Sequence, residues 1–166
     1  MRPSMSKTLK IRRASENDIP TILACIRGLA EYEKLAHEVV ATEADLKKTL
    51  FGDRAYAEVL LGFEGQKPVG FCLFFHNYST FLAKPGIYLE DLFVFEEFRG
   101  SGYGKQLLLE LVKIAERRGC GRVEWQALDW NTPAHDFYEN LGAFKQAEWL
   151  PFRQTEDKIH GLANQA

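Results

Sequence analysis

Three closely spaced glycines in Arg99-Gly100-Ser101-Gly102-Tyr103-Gly104 mark one segment suited to chemistry. Glycines at this spacing let backbone N–H groups converge on an anion. A helix starting at such a loop adds the partial positive charge of its N-terminus. The chemistry is that of a pyrophosphate cradle. It is not a nucleotide P-loop, because Lys105 is followed by Gln106 and not by Ser or Thr, and the glycines miss the dinucleotide Gly-x-Gly-x-x-Gly spacing. The same glycines could also do no more than turn the chain into a helix. A second candidate is Glu90, in a run over residues 87–95 that is otherwise apolar except for Asp91. If strand alternation holds, Glu90 shares a face with Tyr88, Leu92 and Val94. A carboxylate on an apolar face has a raised pKa and can serve as a base; the competing reading is an exposed edge residue or a structural ion pair.

Other reactive side chains do not cluster. His37, His76, His135 and His160 show no metal-ligand spacing, and Cys25, Cys72 and Cys120 form no Cys-x-x-Cys pair. No metal and no disulfide scaffold are expected, and the cysteine usage fits a reducing compartment. Cys72 and Cys120 are expected to be buried small hydrophobes, with no covalent acyl-enzyme required.

The elements that must position these residues follow from periodicity. Leu9 and Ile11 alternate with Lys10 and Arg12, predicting a short strand with one wet face. Ser15, Asp18 and Pro20 open a helix carrying Ile19, Ile22, Leu23, Ile26, Leu29 and Ala30 on one side and ending near Glu33. Thr42 and Asp45 resemble a capping box for a shorter helix stopping at Gly52. Residues 55–63 and 69–78 predict a hairpin, and residues 87–95 a further strand. A long amphipathic helix is predicted from about Gly102 to Arg118, with Gly119 as its stop. Residues 122–129 predict a strand, residues 132–141 a helix, and the C-terminal stretch one or two strands. This order indicates a single mixed α/β domain over residues 1–166, with its core at about 9–160.

Four ordered segments are similar to the GCN5-related N-acetyltransferases (GNAT). They are Tyr88-Leu89-Glu90-Asp91-Leu92-Phe93-Val94, the loop from Phe98 to Gly104, Leu128-Asp129-Trp130-Asn131, and Asp136-Phe137-Tyr138-Glu139-Asn140-Leu141-Gly142-Ala143. Together they resemble the diamine (spermidine/spermine) acetyltransferase group, closest to its thialysine branch. The resemblance implies a central, mostly antiparallel twisted sheet of six to seven strands, splayed at the cofactor site and flanked by about four helices. It implies acetyl-CoA as co-substrate. Leu92, Phe93 and Val94 would line the pantetheine arm, Arg99, Gly100, Ser101, Gly102, Tyr103, Gly104 and Lys105 would hold the pyrophosphate, and Asn131 would contact the cofactor. Tyr138 matches the general acid, Glu90 the carboxylate that draws the amine proton through water, and Tyr32 and Glu33 a pair in the substrate pocket.

The chemistry needs such groups. An alkyl ammonium with a pKa near ~10.4 must lose a proton before attacking a thioester, and a tyrosine at ~10 can protonate the departing thiolate. Glu33 and Glu90, with Glu124 from the neighbouring strand, would balance a cationic amine. Ser79 stands where polyamine enzymes carry an acidic residue, which favours a lysine-like amine such as thialysine over a polyamine. The alternatives are a non-catalytic acyl-CoA-binding module and a protein or peptide lysine acetyltransferase. The family habit of pairing subunits implies a homodimer, with Trp149 and Phe152 as apolar surface candidates.

Composition narrows the class. A net charge of −2 supplies no basic footprint for nucleic acid, and 12 Phe, 6 Tyr and 3 Trp in 166 residues are too much apolar surface to leave disordered. Residues 1–15 hold Lys7, Lys10, Arg12 and Arg13 without an apolar core, so no secretory leader is expected. The longest apolar stretch, residues 69–75, falls far short of the ~20 residues that span a membrane. A cytoplasmic location is expected.

Overall fold

Leu9 and Ile11 turn the same way out of β1 (Leu9–Arg13), and both are half-buried while the charged residues between and after them are exposed. That is the period-two signal realised as an edge strand. The computed structural model describes residues 8–165; residues 1–7, where the basic N-terminal segment begins, and Ala166 lie outside the described residues. The chain divides into two compact units, Met1–Gln126 and Ala127–Ala166.

In the first unit, α1 (Ile19–Tyr32) carries Pro20 in its first turn and buries Ile19, Ile22, Leu23, Cys25 and Ala30. Helix α2 (Glu43–Leu50) opens on the expected capping box, with Thr42 Oγ1 accepting from the Asp45 N–H and the Asp45 carboxylate accepting from the Thr42 N–H. Strands β2 (Glu58–Glu64), β3 (Lys67–Ser79) and β4 (Lys84–Val94) form an antiparallel meander beside β1. Helix α3 (Tyr103–Arg117) crosses over to β5 (Val123–Glu124), which pairs parallel to β4. A parallel neighbour needs such a crossover, and the sheet order is β1-β2-β3-β4-β5.

Two layers cover the sheet. Val59, Leu61, Phe71 and Phe93 face α1 and α2 and close a core with Ile22, Leu23, Cys25 and Leu46. Phe71 and Phe93 are directly opposed across β3 and β4, and burial of each ring contributes about 1.5–3 kcal/mol. Helix α3 packs its buried Leu107, Leu108, Leu111 and Ile114 on β2, β3 and β4. Cys72 lies buried within β3; Cys120, expected to be buried too, is only half-buried.

In the second unit, α4 (Thr132–Glu139) and α5 (Glu156–Ala163) are the regular elements among the described residues. Two expectations change here and at β5. The strand predicted over residues 122–129 shrinks to two residues, and the predicted C-terminal strands are replaced by α5. Trp149, Leu150 and Phe152 have strand-like composition but are exposed, and a strand with no neighbour has nowhere to place its backbone hydrogen bonds. The α5 signals were present: Thr155 at the N-cap, Glu156 and Asp157 in the first turn, His160 in the last. Among the described residues the sheet therefore has five strands rather than six or seven, with five α-helices rather than about four.

Candidate active site

Register decides what the carboxylates of β4 can do. Opposite β3, Leu73 pairs with Asp91 but Phe74 pairs with Leu89, so Glu90 is the extra residue of a β-bulge. Cross-strand partners share a face. Leu89 therefore follows Phe74 to the α3 side, while Asp91 follows Leu73 to the α1 side. The expected grouping of Glu90 with Tyr88, Leu92 and Val94 does not form, because the bulge interrupts the alternation that it assumed. Leu92 and Val94 pair with Cys72 and Gly70, Tyr88 with Phe75 on the opposite face, and Glu90 is exposed.

Asp91 is half-buried on β4. Burial pushes its pKa up to about 7, with the charges of Glu90 and Glu33 adding to the shift. Glu33 is itself shifted upward by burial. Three acidic side chains thus share one field. A group poised near neutrality can take and release a proton at working pH.

Glu33 sits where α1 stops. The Leu35 N–H donates to the Ala30 carbonyl and the Lys34 N–H to the Glu31 carbonyl, a Schellman arrangement that places Lys34 at φ 62°. Tyr32, in the last turn, lies under the Arg99 guanidinium, 4.8 Å from ring centroid to Cζ.

The glycine loop has the conformation that its residue types imply. Gly100 and Gly102 have φ of 80° and 79°, in the left-handed region, and Gly102 is the N-cap of α3. Glycine offers no side-chain oxygen to the first N–H groups of the helix, and the first turn holds no acidic residue. That is the arrangement an anion would complete. Ser101 and Lys105 are exposed beside it. Tyr103 is buried and its hydroxyl donates to Glu64 at 2.6 Å, tying the start of α3 to the end of β2. Phe93 is buried, while Leu92 and Val94 are half-buried. Because β5 stops at Glu124, opposite Tyr88, it does not continue alongside residues 89–94. The two strands splay at the segment expected to meet the pantetheine arm.

Glu124 stands differently from the expectation that it would face a cationic amine. Arg122 Nε lies 2.7 Å from its carboxylate, and Asn77 Nδ2 donates to the same oxygen at 3.0 Å. Its charge is already balanced.

Within the second unit, Asn131 precedes α4 and its carbonyl accepts from the N–H groups of Ala134 and His135. Tyr138 is half-buried in the last turn of the same helix, its ring edge-on to Phe137 at 5.2 Å between centroids.

Residues 22–143 match the acetyltransferase (GNAT) family. The chain belongs to the GNAT family. Thialysine N-epsilon-acetyltransferase of Bos taurus is 39% identical over 164 residues, covering 92% of this chain and 96% of that protein. L-ornithine N5-acetyltransferase NATA1 of Arabidopsis thaliana is 34% identical over 198 residues, covering 92% of this chain and 87% of that protein. Among solved structures, an integron cassette protein from the mobile metagenome of V. cholerae superposes with a TM-score of 0.79 at 26% identity, covering 93% of this chain and 97% of that one.

This GNAT chain is an acyltransferase, and its mixed α/β sheet is the GNAT fold. Sequence reasoning about the GNAT site overlooked Asp91. Its neighbour Glu90 stands out through the period-two pattern, and only the adjacency of two acids in an apolar strand hints that one is drawn partly out of solvent. Among the described residues of this GNAT chain, no helix is long and apolar enough to cross a membrane.

Proposed function

We propose that this chain transfers the acetyl group of acetyl-CoA directly to the primary amine of a small cationic substrate, a lysine-like diamino compound such as thialysine first and a polyamine second. The observation that carries the reading is the half-buried Asp91 carboxyl, held up near neutrality by desolvation and by the charges of Glu90 and Glu33. Three acids of which one resists ionisation attract a cation and still leave a proton acceptor near neutral pH. The curated relatives at 34–39% identity, named for thialysine and ornithine, support the same substrate class.

The residues present fit acetyl-CoA: a loop with two positive-φ glycines, an α3 N-terminus with no side-chain cap, and a splayed β4 edge. Gly100, Gly102, Gly104 and Lys105 would hold the pyrophosphate, Leu92 and Val94 the arm, and Asn131 a further contact. When bound, acetyl-CoA supplies an acetyl group activated as a thioester. Glu90 takes the ammonium proton through water and frees the nitrogen lone pair, with Glu33 holding the cation in place and Asp91 as a further proton acceptor near neutrality. Tyr138 donates its phenolic proton to the departing sulfur. No covalent enzyme intermediate and no metal are needed. We further propose that the chain is one catalytic domain, works in the cytoplasm and pairs as a homodimer, without nucleic acid or membrane as partner.

The test follows release of free CoA thiol from acetyl-CoA with thialysine, lysine, ornithine, spermidine, spermine and a short lysine peptide. Release with one diamino compound is expected. In Tyr138→Phe, turnover is expected to fall by ~10²–10⁴, the usual worth of a general acid, with acetyl-CoA binding kept. Unchanged turnover removes Tyr138 from the mechanism, and saturable CoA binding with silence across the panel would favour a binding module.

A further inference from the structure

Arg99 opens the glycine loop, yet its side chain points to the end of α1 and to β4. Its Nε donates to the Val94 carbonyl at 2.9 Å. Its guanidinium lies 4.8 Å from the Tyr32 ring centroid and 5.5 Å from that of Phe93. Tyr32 ends α1 and is followed by Glu33; Phe93 stands two residues beyond Asp91 on β4 and is itself packed in the α1 core. The flat cation therefore bridges the end of one element to the strand that carries the other half of the acidic cluster.

The end of α1 has reason to need such a brace. Lys34 holds φ 62°, a conformation that costs a residue bearing Cβ roughly 1 kcal/mol or more, so local preference does not favour this turn. A planar guanidinium can stack on two rings and still direct Nε to a carbonyl, which an ammonium cannot do.

We propose that Arg99 is a positioning residue for the amine-binding side: by clamping Tyr32 to Phe93 and Val94 it sets the separation of Glu33 from Asp91. This goes beyond a phosphate contact and rests on the reading of the acidic cluster as the amine pocket. The side chain spends its charge and planarity on α1 and β4, leaving the anion to the loop backbone and Lys105. Acetyl-CoA recognition and amine recognition therefore depend differently on Arg99.

Arg99→Lys separates the two roles, since it keeps the positive charge and loses the stacking and the directed Nε bond. Calorimetric binding of CoA alone and of the best amine alone is measured beside KM for each substrate. The amine constants are expected to weaken about five- to tenfold, the worth of one cation–π contact with one hydrogen bond, while those for CoA stay within about twofold. Tyr32→Leu should reproduce Arg99→Lys, and the double variant should cost no more than either single one. Weakened CoA binding with unchanged amine binding in Arg99→Lys overturns the proposal, as does strict additivity of the two substitutions. Turnover of the unsubstituted chain judges the acetyltransferase reading separately, because amine binding is read without it.

Discussion

Asp91 carries a carboxyl whose ionisation opposes the burial that the fold imposes on it. Its pKa rises from 3.8 to about 7, so between those values the folded chain holds a proton that the unfolded chain has released. Stability then falls as pH rises through that window, the reverse of a salt-bridged aspartate. Three units correspond to a cost on the order of 4 kcal/mol above pH 7. Asp91→Asn removes the ionisation and is expected to raise Tm at pH 8 while leaving it little changed at pH 4. It is also expected to lower kcat/KM and to erase the inflection near pH 7 from its pH profile. A gain in activity, or equal Tm shifts at both pH values, would show that Asp91 is neither strained by ionisation nor used. Function at the expense of stability is the pattern expected of a site residue.

At the scale of elements, the start of α3 separates structural from functional need. Gly100 and Gly102 have positive φ and are held by backbone geometry. Gly104 is helical, and a Cβ there would meet only Val94 Cγ2 at 3.8 Å, an ordinary contact. The fold has no steric use for glycine at that position. Gly104→Ala is thus expected to stabilise the chain by roughly 0.5–1 kcal/mol. If the backbone there must approach a pyrophosphate, the same substitution weakens acetyl-CoA binding about ten- to hundredfold, equivalent to one lost hydrogen bond to a charged group. Thermal melting and CoA calorimetry on one preparation check both. Higher Tm with unchanged CoA affinity would take Gly104 out of the cradle. The β4 bulge makes a related point about elements: one inserted residue moves Asp91 from the face shared with Leu89 to the face of Leu73.

At the scale of the whole molecule, the two units differ in how they dispose of apolar surface. The first buries Phe71, Phe74, Leu61 and Leu111 completely. In the second, Phe144, Trp149, Leu150 and Phe152 are each more than 70% exposed, and none of the described residues is buried. Contiguous large apolar residues at the surface mark an interaction site. The proposed homodimer is the occupant that this segment suits. Trp149→Ser with Phe152→Ser is expected to convert a dimer into a monomer by light scattering, with far-UV circular dichroism unchanged. A monomeric unsubstituted chain at micromolar concentration would end the proposal.

Local signals specified most elements, since caps, breakers and periodicity act over a few residues. Ser15 and Asp18 before α1 with Pro20 in its first turn, the Thr42 and Asp45 box, the hairpin expected over residues 55–63 and 69–78, and Gly119 after α3 were readable because each depends on its own neighbours in the chain. The conformation of the glycine loop was readable for the same reason, whereas the Tyr32–Glu33 pair came from the family resemblance alone. The bulge at Glu90, the half-burial of Asp91, the hydrogen bond from Asn77 to Glu124 and the turning of Arg99 onto Tyr32 were not. Each depends on what lies across a strand pair or beneath a helix, far away in sequence. Period-two alternation in residues 88–94 reads identically with and without an inserted residue, and only pairing with β3 breaks the tie. The C-terminal strands failed likewise, because strand formation needs a partner that composition cannot supply.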